Sequence, residues 1–144
     1  MTEPLRFTIY GQAQSKANSR ELVTIRGQAR SIKSKAALAY VEAALLQIPP
    51  ACRVRMEGEV RMTVRMYYPT QLPDMDETLL LDILQDQFRT VRVRAGKSQR
   101  VLTQAGVYRN DRQVRERHVY HFIDRDRPRV EIEVEPRFQP ALDL

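Results

Sequence analysis

The sequence has little of the chemistry that holds small secreted or zinc-dependent proteins together. Among 144 residues there is one cysteine, Cys52, and there are two histidines, His118 and His121. A disulfide framework and a Cys/His zinc cluster are therefore excluded, and we expect a reducing compartment, the cytoplasm. The longest weakly charged run, residues 36–50, is interrupted by Glu42. It is too short to span a bilayer, so we expect no membrane partner.

Several common catalytic and nucleotide-binding motifs are also missing. The sequence contains no GxxxxGK[ST], GxGxxG or GxSxG pattern, so we expect no nucleotide cofactor and no hydrolase nucleophile. The first residues, MTEPLRFTIYG, lack the basic and then apolar order of a secretory signal. Cys52 has no catalytic motif around it and is expected to be a small buried side chain. His118 and His121 are three apart on a predicted strand, so they face opposite sides and are expected to be structural.

Basic residues, in contrast, are abundant. Lys and Arg number 24 and Asp and Glu number 18, which gives a net charge of +6. The excess is concentrated in residues 88–117, which hold nine basic and two acidic side chains. A basic surface favours anionic partners, nucleic acid first. A solvated arginine-rich surface without a partner is the alternative.

The hydrophobic pattern predicts one α/β (α+β) domain over residues 1–144, with elements in the order β-α-β-α-hairpin-β-β. The predicted elements are strands at 6–10, 59–68, 114–123 and 130–134, a helix at 34–48, a helix of about three turns between 74 and 88, and a hairpin at 91–102. We therefore expect a mixed sheet of about five strands with two helices on one face. The remaining segments are a polar, basic loop at 12–33, a basic insertion at 88–105 and a frayed tail at 137–144.

Two aspartates, Asp74 and Asp76, follow the most regular predicted strand. At this spacing in an extended turn both carboxylates can point the same way, and a cation then offsets their repulsion. Magnesium prefers hard oxygen ligands, so the pair suits a site that cleaves phosphodiesters. The alternative is a helix cap without metal, in which Asp74 is the N-cap and Glu77 reaches back to it.

A third acid, Asp111, lies in the segment GVYRNDRQV at 106–114, just before a predicted strand. Three arginines flank it in sequence: Arg109, Arg112 and Arg115. These arginines either pair with Asp111 or are free to bind phosphates. In the second case Asp111 can join the first two aspartates, and three carboxylates hold a metal within a ring of arginines.

Together these motifs resemble the RusA family of Holliday-junction resolvases, which is common in bacterial prophages. The segment LPDMD at 72–76 is similar to the family's Asp-x-Asp at a helix start, and GVYRNDRQV at 106–114 is similar to its second acidic segment. The opening FTIYG, the segment SKANSR at 15–20, and Lys33-Ser34 resemble the family's first strand, basic loop and helix start. The resemblance covers about residues 5–135.

The resemblance implies a homodimeric endodeoxyribonuclease that requires Mg²⁺, with Mn²⁺ able to substitute. Such an enzyme binds branched DNA and resolves four-way junctions by symmetric paired nicks in DNA recombination and repair. Matched residue by residue, Asp74, Asp76 and Asp111 correspond to the family's catalytic, metal-binding aspartates. The basic residues expected to bind DNA are Lys16, Arg20, Lys33, Arg92, Arg94, Lys97, Arg109, Arg112 and Arg115.

The sequence departs from the better-known members at two places. They carry Asn directly after the Asp-x-Asp and a catalytic Lys four positions after the second aspartate, where this chain has Glu77 and Leu80. Either Arg109, Arg115 or Lys97 then stabilises the phosphate, or the enzyme is weak. The second departure is the segment 88–105, which looks like an insertion and is either a DNA-contacting hairpin or a surface decoration.

Two further acids and two further functions stay open. Asp82 and Asp86 follow in the second helix and are expected to be surface acids or to support the metal ligands from outside. The first alternative function is a non-catalytic basic DNA-binding module that diverged from such a nuclease. The second is a metal nuclease with another substrate, such as a flap or a single strand.

Overall fold

The computed structural model describes residues 3–16 and 20–138, which form four main-sheet strands, two helices and two hairpins. The strands are β1 (Leu5–Tyr10), β2 (Arg20–Ile25), β3 (Gln28–Lys33), β4 (Val60–Tyr68), β5 (Gln87–Arg94), β6 (Lys97–Gln104), β7 (Val114–Ile123) and β8 (Arg129–Pro136). The helices are α1 (Lys35–Gln47) and α2 (Thr78–Leu84), and single 3₁₀ turns cover Pro50–Cys52 and Asp111–Gln113. The predicted α+β class is confirmed.

The main sheet has the order β1-β8-β4-β7. Strands β4 and β7 are parallel, whereas β8 is antiparallel to both β1 and β4, so the predicted mixed sheet is confirmed. Along β4 every second side chain is buried, from Val60 to Tyr68, because apolar residues alternate with polar ones there. The main sheet has four strands rather than about five, since the strands of each hairpin pair only with each other.

The two helices cover the buried face of the sheet. Ser34 caps α1 as predicted: its Oγ accepts a hydrogen bond from the Ala37 N–H at 3.2 Å. Five apolar residues of α2 are buried in the core: Leu79, Leu80, Leu81, Ile83 and Leu84. Helix α2 has seven residues instead of about three turns, because Gln85 is already extended and the Gln87 amide binds carbonyls at the helix end.

The segment 12–33, predicted as an irregular loop, contains the hairpin β2–β3, so that prediction is wrong. The turn consists of Arg26 and Gly27, both with positive φ, as a two-residue type I′ hairpin turn requires. Residues 17–19 lie outside the described part of the chain. The second hairpin was predicted at 91–102 and is confirmed; it extends over Gln87–Gln104.

The lone cysteine and the two histidines lie in different environments. Cys52 is buried, which raises the pKa of its thiol. His118 contacts Glu116 at 2.7 Å, while His121 stacks on the ring of Tyr68. Of the predicted tail, only residues 137–138 are described. No helix in the described ranges is both long and apolar enough to cross a membrane.

Candidate active site

Asp76 is the most tightly held of the predicted site residues. Its Oδ1 accepts hydrogen bonds from the N–H and the hydroxyl of Thr78, at 2.9 and 2.6 Å. Its Oδ2 accepts hydrogen bonds from the Ser15 hydroxyl and the Lys16 N–H, both at 3.1 Å. Partial burial raises the pKa of Asp76, but these hydrogen bonds outweigh it and lower the pKa below its usual value. Asp76 is therefore ionised at neutral pH and joins the start of α2 to the segment before β2.

The hydroxyl of Tyr68, at the end of β4, lies between the backbones of the two neighbouring aspartates. It accepts a hydrogen bond from the Asp76 N–H at 3.3 Å and donates one to the Asp74 carbonyl at 3.4 Å. The side chain of Asp74 is exposed and makes no hydrogen bond or ion pair within the described residues. The loop thus fixes the backbone of Asp74 and leaves its carboxylate available.

The alternative in which Asp74 and Glu77 form a helix cap is wrong. The N–H at the start of α2 is bound by Asp76, as described above, and the N-cap position itself, Glu77, has helical backbone angles. The carboxylate of Glu77 pairs instead with Arg117 of β7, at 3.4 Å. The helix-capping requirement is met by Asp76, so it does not account for Asp74.

Two aspartates, Asp76 and Asp82, contact Lys16, and the charge of a third, Asp111, acts on it. The Nζ of Lys16 lies 2.8 Å from a carboxylate oxygen of Asp82. The hydrogen bond and the charge of Asp82 raise the pKa of Lys16 most, and the charges of Asp111 and Asp76 raise it further. We call Asp76, Asp82 and Asp111 the acid cluster. Sequence analysis assigned Lys16 to DNA, whereas its ammonium group lies at the acid cluster.

The turn that carries Asp111 is built by its neighbours in the motif. Asn110 Oδ1 accepts a hydrogen bond from the Arg112 N–H at 2.9 Å. Gln113 Oε1 accepts hydrogen bonds from the N–H groups of Arg109 and Asn110, at 2.8 and 2.9 Å. These side chains satisfy the backbone of the turn, so the carboxylate of Asp111 is left free for another role.

The same segment is fastened to the end of α2. The Asp111 N–H donates to Gln85 Oε1 at 3.0 Å, and the Tyr108 hydroxyl donates to a carbonyl of α2 at 2.7 Å. The Gly106 N–H donates to Asp86 Oδ1 at 2.8 Å, and a Cβ at this glycine would collide with the backbone beside it. Asp86 is 5% exposed and paired with Arg55, so the prediction that it is a surface acid is wrong.

The arginines next to Asp111 do not neutralise it. Arg109 pairs with Glu57 at 2.7 Å. Arg112 and Arg115 are exposed and form no ion pair within the described ranges. The interpretation of Asp111 as an ordinary ion-pair partner of these arginines is therefore wrong.

No family model and no curated protein matches this chain. The resemblance to the RusA family stays a prediction, carried by the sequence motifs. Of its three expected metal ligands, Asp76 binds the Lys16 N–H, Asp111 acts by its charge on the same lysine, and Asp74 lies beside Asp76 in the same loop. Sequence reasoning missed the place of Asp82. The available signal was its position as the only charged residue of α2, between apolar core positions.

The donor chemistry of the acid cluster fits a hard divalent cation. Its ligand atoms are carboxylate oxygens, the type that Mg²⁺ prefers, and the cluster already holds the cationic ammonium of Lys16. In the part of the chain that the structure describes, no three acidic, histidine or cysteine side chains are placed to hold a metal ion together. One or two of Asp76, Asp82 and Asp111 would hold the ion, with Asp74 available from the loop of Asp76. Magnesium usually completes its shell with water and substrate phosphates, so a partial protein ligand set is compatible with this ion.

We expect Lys16→Met to increase the affinity for Mn²⁺ or Mg²⁺ by about three- to tenfold. Lysine and metal ion compete for the same carboxylates, and an exposed ion pair is worth up to about 1 kcal/mol. Methionine keeps the backbone N–H that binds Asp76. Calorimetric titration of the metal into both proteins measures the change, with Lys35→Met as the control for removing a lysine charge. An unchanged or weaker affinity in Lys16→Met would contradict this competition.

Proposed function

We propose that this protein is a metal-dependent endodeoxyribonuclease that resolves four-way DNA junctions by symmetric paired nicks. The observation that carries the proposal is the acid cluster, in which Asp82 pairs with Lys16, Asp76 binds the Lys16 N–H and the charge of Asp111, from a later segment of the chain, acts on the same lysine. Ionised carboxylates brought together at a surface are costly without a cation, so such an arrangement points to cation-dependent chemistry. The motif resemblance supplies the substrate class.

The distribution of charge supports a nucleic-acid substrate. An acid cluster alone repels a polyanion, and basic residues must offset that repulsion. Hairpin β2–β3 carries four basic residues and one acidic one, and hairpin β5–β6 carries five basic residues and none acidic. Exposed Arg112 and Arg115 lie next to Asp111 in sequence. DNA held by these groups would place a phosphate near the carboxylates.

Each residue of the site has a definable task in phosphodiester hydrolysis. A bound divalent ion supplies an activated water and offsets charge on the phosphate oxygens. Asp76 is held ionised and oriented by Thr78 and the Ser15–Lys16 segment. Asp111 projects from a turn whose backbone is fully engaged. These groups bind and orient, and they do not need to move.

Position 80, where the family has its catalytic lysine, is leucine in this chain, so another basic residue would have to stabilise the phosphate. Leu80 is 3% exposed within the core, so its position does not reach the site. Arg109 is engaged by Glu57, which leaves Arg115 and Lys97 among the substitutes expected from the sequence. Lys16 pairs with Asp82 of the acid cluster at 2.8 Å and is the substitute that this contact favours.

Two symmetric nicks need two sites related by a two-fold axis, so the proposal includes a homodimer. The second candidate function is a non-catalytic DNA-binding module. The burial of Leu80 at the position of the family's catalytic lysine is the observation that favours it.

The experiment that tests the proposal uses the full chain and an end-labelled synthetic four-way junction. We expect paired nicks at symmetric positions with Mg²⁺ or Mn²⁺, and none in EDTA. A linear duplex of the same sequence serves as the control and should stay intact. Tight junction binding without nicks at any metal concentration would reject the nuclease and favour the binding module. Nicks in flaps or single strands alone would reject the junction as substrate.

A further inference from the structure

The hairpin β5–β6 is a two-stranded ribbon that stands apart from the main sheet. Its strands pair only with each other, in antiparallel register. All eight residues of β6 are exposed, and six of the eight residues of β5 are exposed as well. Strands of eight residues extend about 27 Å, at about 3.4 Å per residue. The ribbon therefore offers a long surface to a partner.

The ribbon is uniformly basic. It carries five positive side chains and no acidic one: Arg89, Arg92, Arg94, Lys97 and Arg100. None of them forms an ion pair with any described carboxylate. Arg100 lies over the ring of Phe88, with its guanidinium carbon 4.3 Å from the ring centroid. Unpaired basic groups along an exposed element are the electrostatic footprint of a polyanion-binding surface.

The base of the ribbon is fixed to the end of α2, next to Asp82, and its two strands are tied together there. The Gln87 amide donates to the carbonyls of Asp82 and Gln85, both at 2.9 Å, and the Thr103 hydroxyl donates to the Gln87 carbonyl at 3.1 Å. The chain enters the ribbon directly after α2, which carries Asp82, and returns to the segment that carries Asp111. A partner bound along the ribbon would therefore begin next to the segments that carry Asp82 and Asp111.

We propose that the β5–β6 ribbon lies in the major groove of a DNA duplex next to the acid cluster. This inference rests on the proposed function for its substrate, DNA. The major groove of B-DNA is about 12 Å wide and admits a two-stranded antiparallel ribbon. The deep, narrow major groove of an RNA duplex does not admit side chains in this way. A second copy of the ribbon is disfavoured as the occupant, because five like charges would face five like charges.

The test compares two double variants of the full chain by fluorescence anisotropy in EDTA, on a four-way junction and on a linear duplex. Arg92→Gln/Arg94→Gln neutralises the ribbon, and Arg6→Gln/Arg65→Gln removes two charges from the sheet face opposite the helices. Each phosphate contact contributes about 0.9 to the slope of log affinity against log salt. We expect the ribbon variant to lose about two from this slope and at least about tenfold in affinity, with the control unchanged.

Methylation of guanine N7 by dimethyl sulfate locates the ribbon, because N7 lies in the major groove. We expect wild type to protect N7 in one helical arm of the junction and the ribbon variant to lose that protection. Unchanged salt slope in the ribbon variant would overturn the proposal, as would a loss of affinity without any N7 protection by wild type. Both measurements are made without metal, so they do not depend on cleavage. N7 protection by a protein that never nicks DNA would reject the proposed nuclease activity and support binding of the ribbon in the major groove.

Discussion

Asp111→Asn is expected to lower the rate of junction cleavage by about a hundredfold or more, while binding to the junction survives or tightens. The change removes one charged ligand and hardly alters the shape of the side chain, and electrostatic groups of this kind contribute about a hundred- to a thousandfold to rates. The turn around it is held by Asn110 and Gln113 and by the backbone N–H bonded to Gln85, all of which the variant retains. Single-turnover cleavage and metal-free anisotropy measure the two effects separately.

Glu42→Gln is the matched control, since Glu42 is exposed on α1 and the substitution is equally small. It should cleave like wild type. Full activity in Asp111→Asn would remove this residue from the catalytic set, and loss of both binding and cleavage would indicate damage to the fold. Asp74→Asn and Asp82→Asn are assayed in the same way. The variant with the larger loss of cleavage rate identifies the third carboxylate, the one that acts with Asp76 and Asp111.

Leu80→Lys is expected to destabilise the fold by about 3–5 kcal/mol rather than to restore a family-like active site. Leu80 is 3% exposed within the core, so an ammonium group there is deprived of water and of any counter-ion. Domains of this size have about 5–15 kcal/mol of stability in total, so the loss is a large part of it. Urea unfolding followed by circular dichroism gives the difference in the free energy of unfolding.

Leu80→Met conserves volume and polarity and should cost less than about 1.5 kcal/mol, which makes it the reference for position 80. A Leu80→Lys protein as stable as this reference, with faster cleavage than wild type, would place position 80 at the acid cluster. That result would contradict the buried position described above and favour the family's arrangement.

The main sheet could be predicted from the sequence because its strands have one dry and one wet face. β4 alternates apolar and polar side chains over its whole length, and only one pairing register of such a strand buries all of its apolar side chains. Hairpin β2–β3 could not be found this way, since nearly all of its residues are exposed and no alternation is imposed on them. Its one local signal was the Arg26–Gly27 turn, which the surrounding polar residues obscured.

The candidate site could likewise be predicted only in part. Asp76 and Asp111 belong to local motifs, and the sequence was sufficient to single them out. The pair of Lys16 and Asp82 joins residues that are distant in the chain, so only the folded arrangement brings them together. The burial of Asp86 could not be predicted for a similar reason. Its partner Arg55 precedes β4 in the chain whereas Asp86 follows it, and nothing near Asp86 in the sequence marks it as buried.

The position of the basic hairpin also bears on how such a protein can change over time. Gln87 pairs with Gln104, so the chain enters and leaves the hairpin at neighbouring points. Apart from the Gln87 amide, which binds the Asp82 carbonyl, the hydrogen bonds that position Asp82 and Asp111, including the bond from Gly106 to Asp86, lie outside those two points. The hairpin beyond Gln87 can therefore be lengthened, changed in sequence or shortened to a turn without loss of these bonds. Under the proposed function, target preference and bond cleavage would then be encoded in separable stretches of one small domain, free to diversify at different speeds.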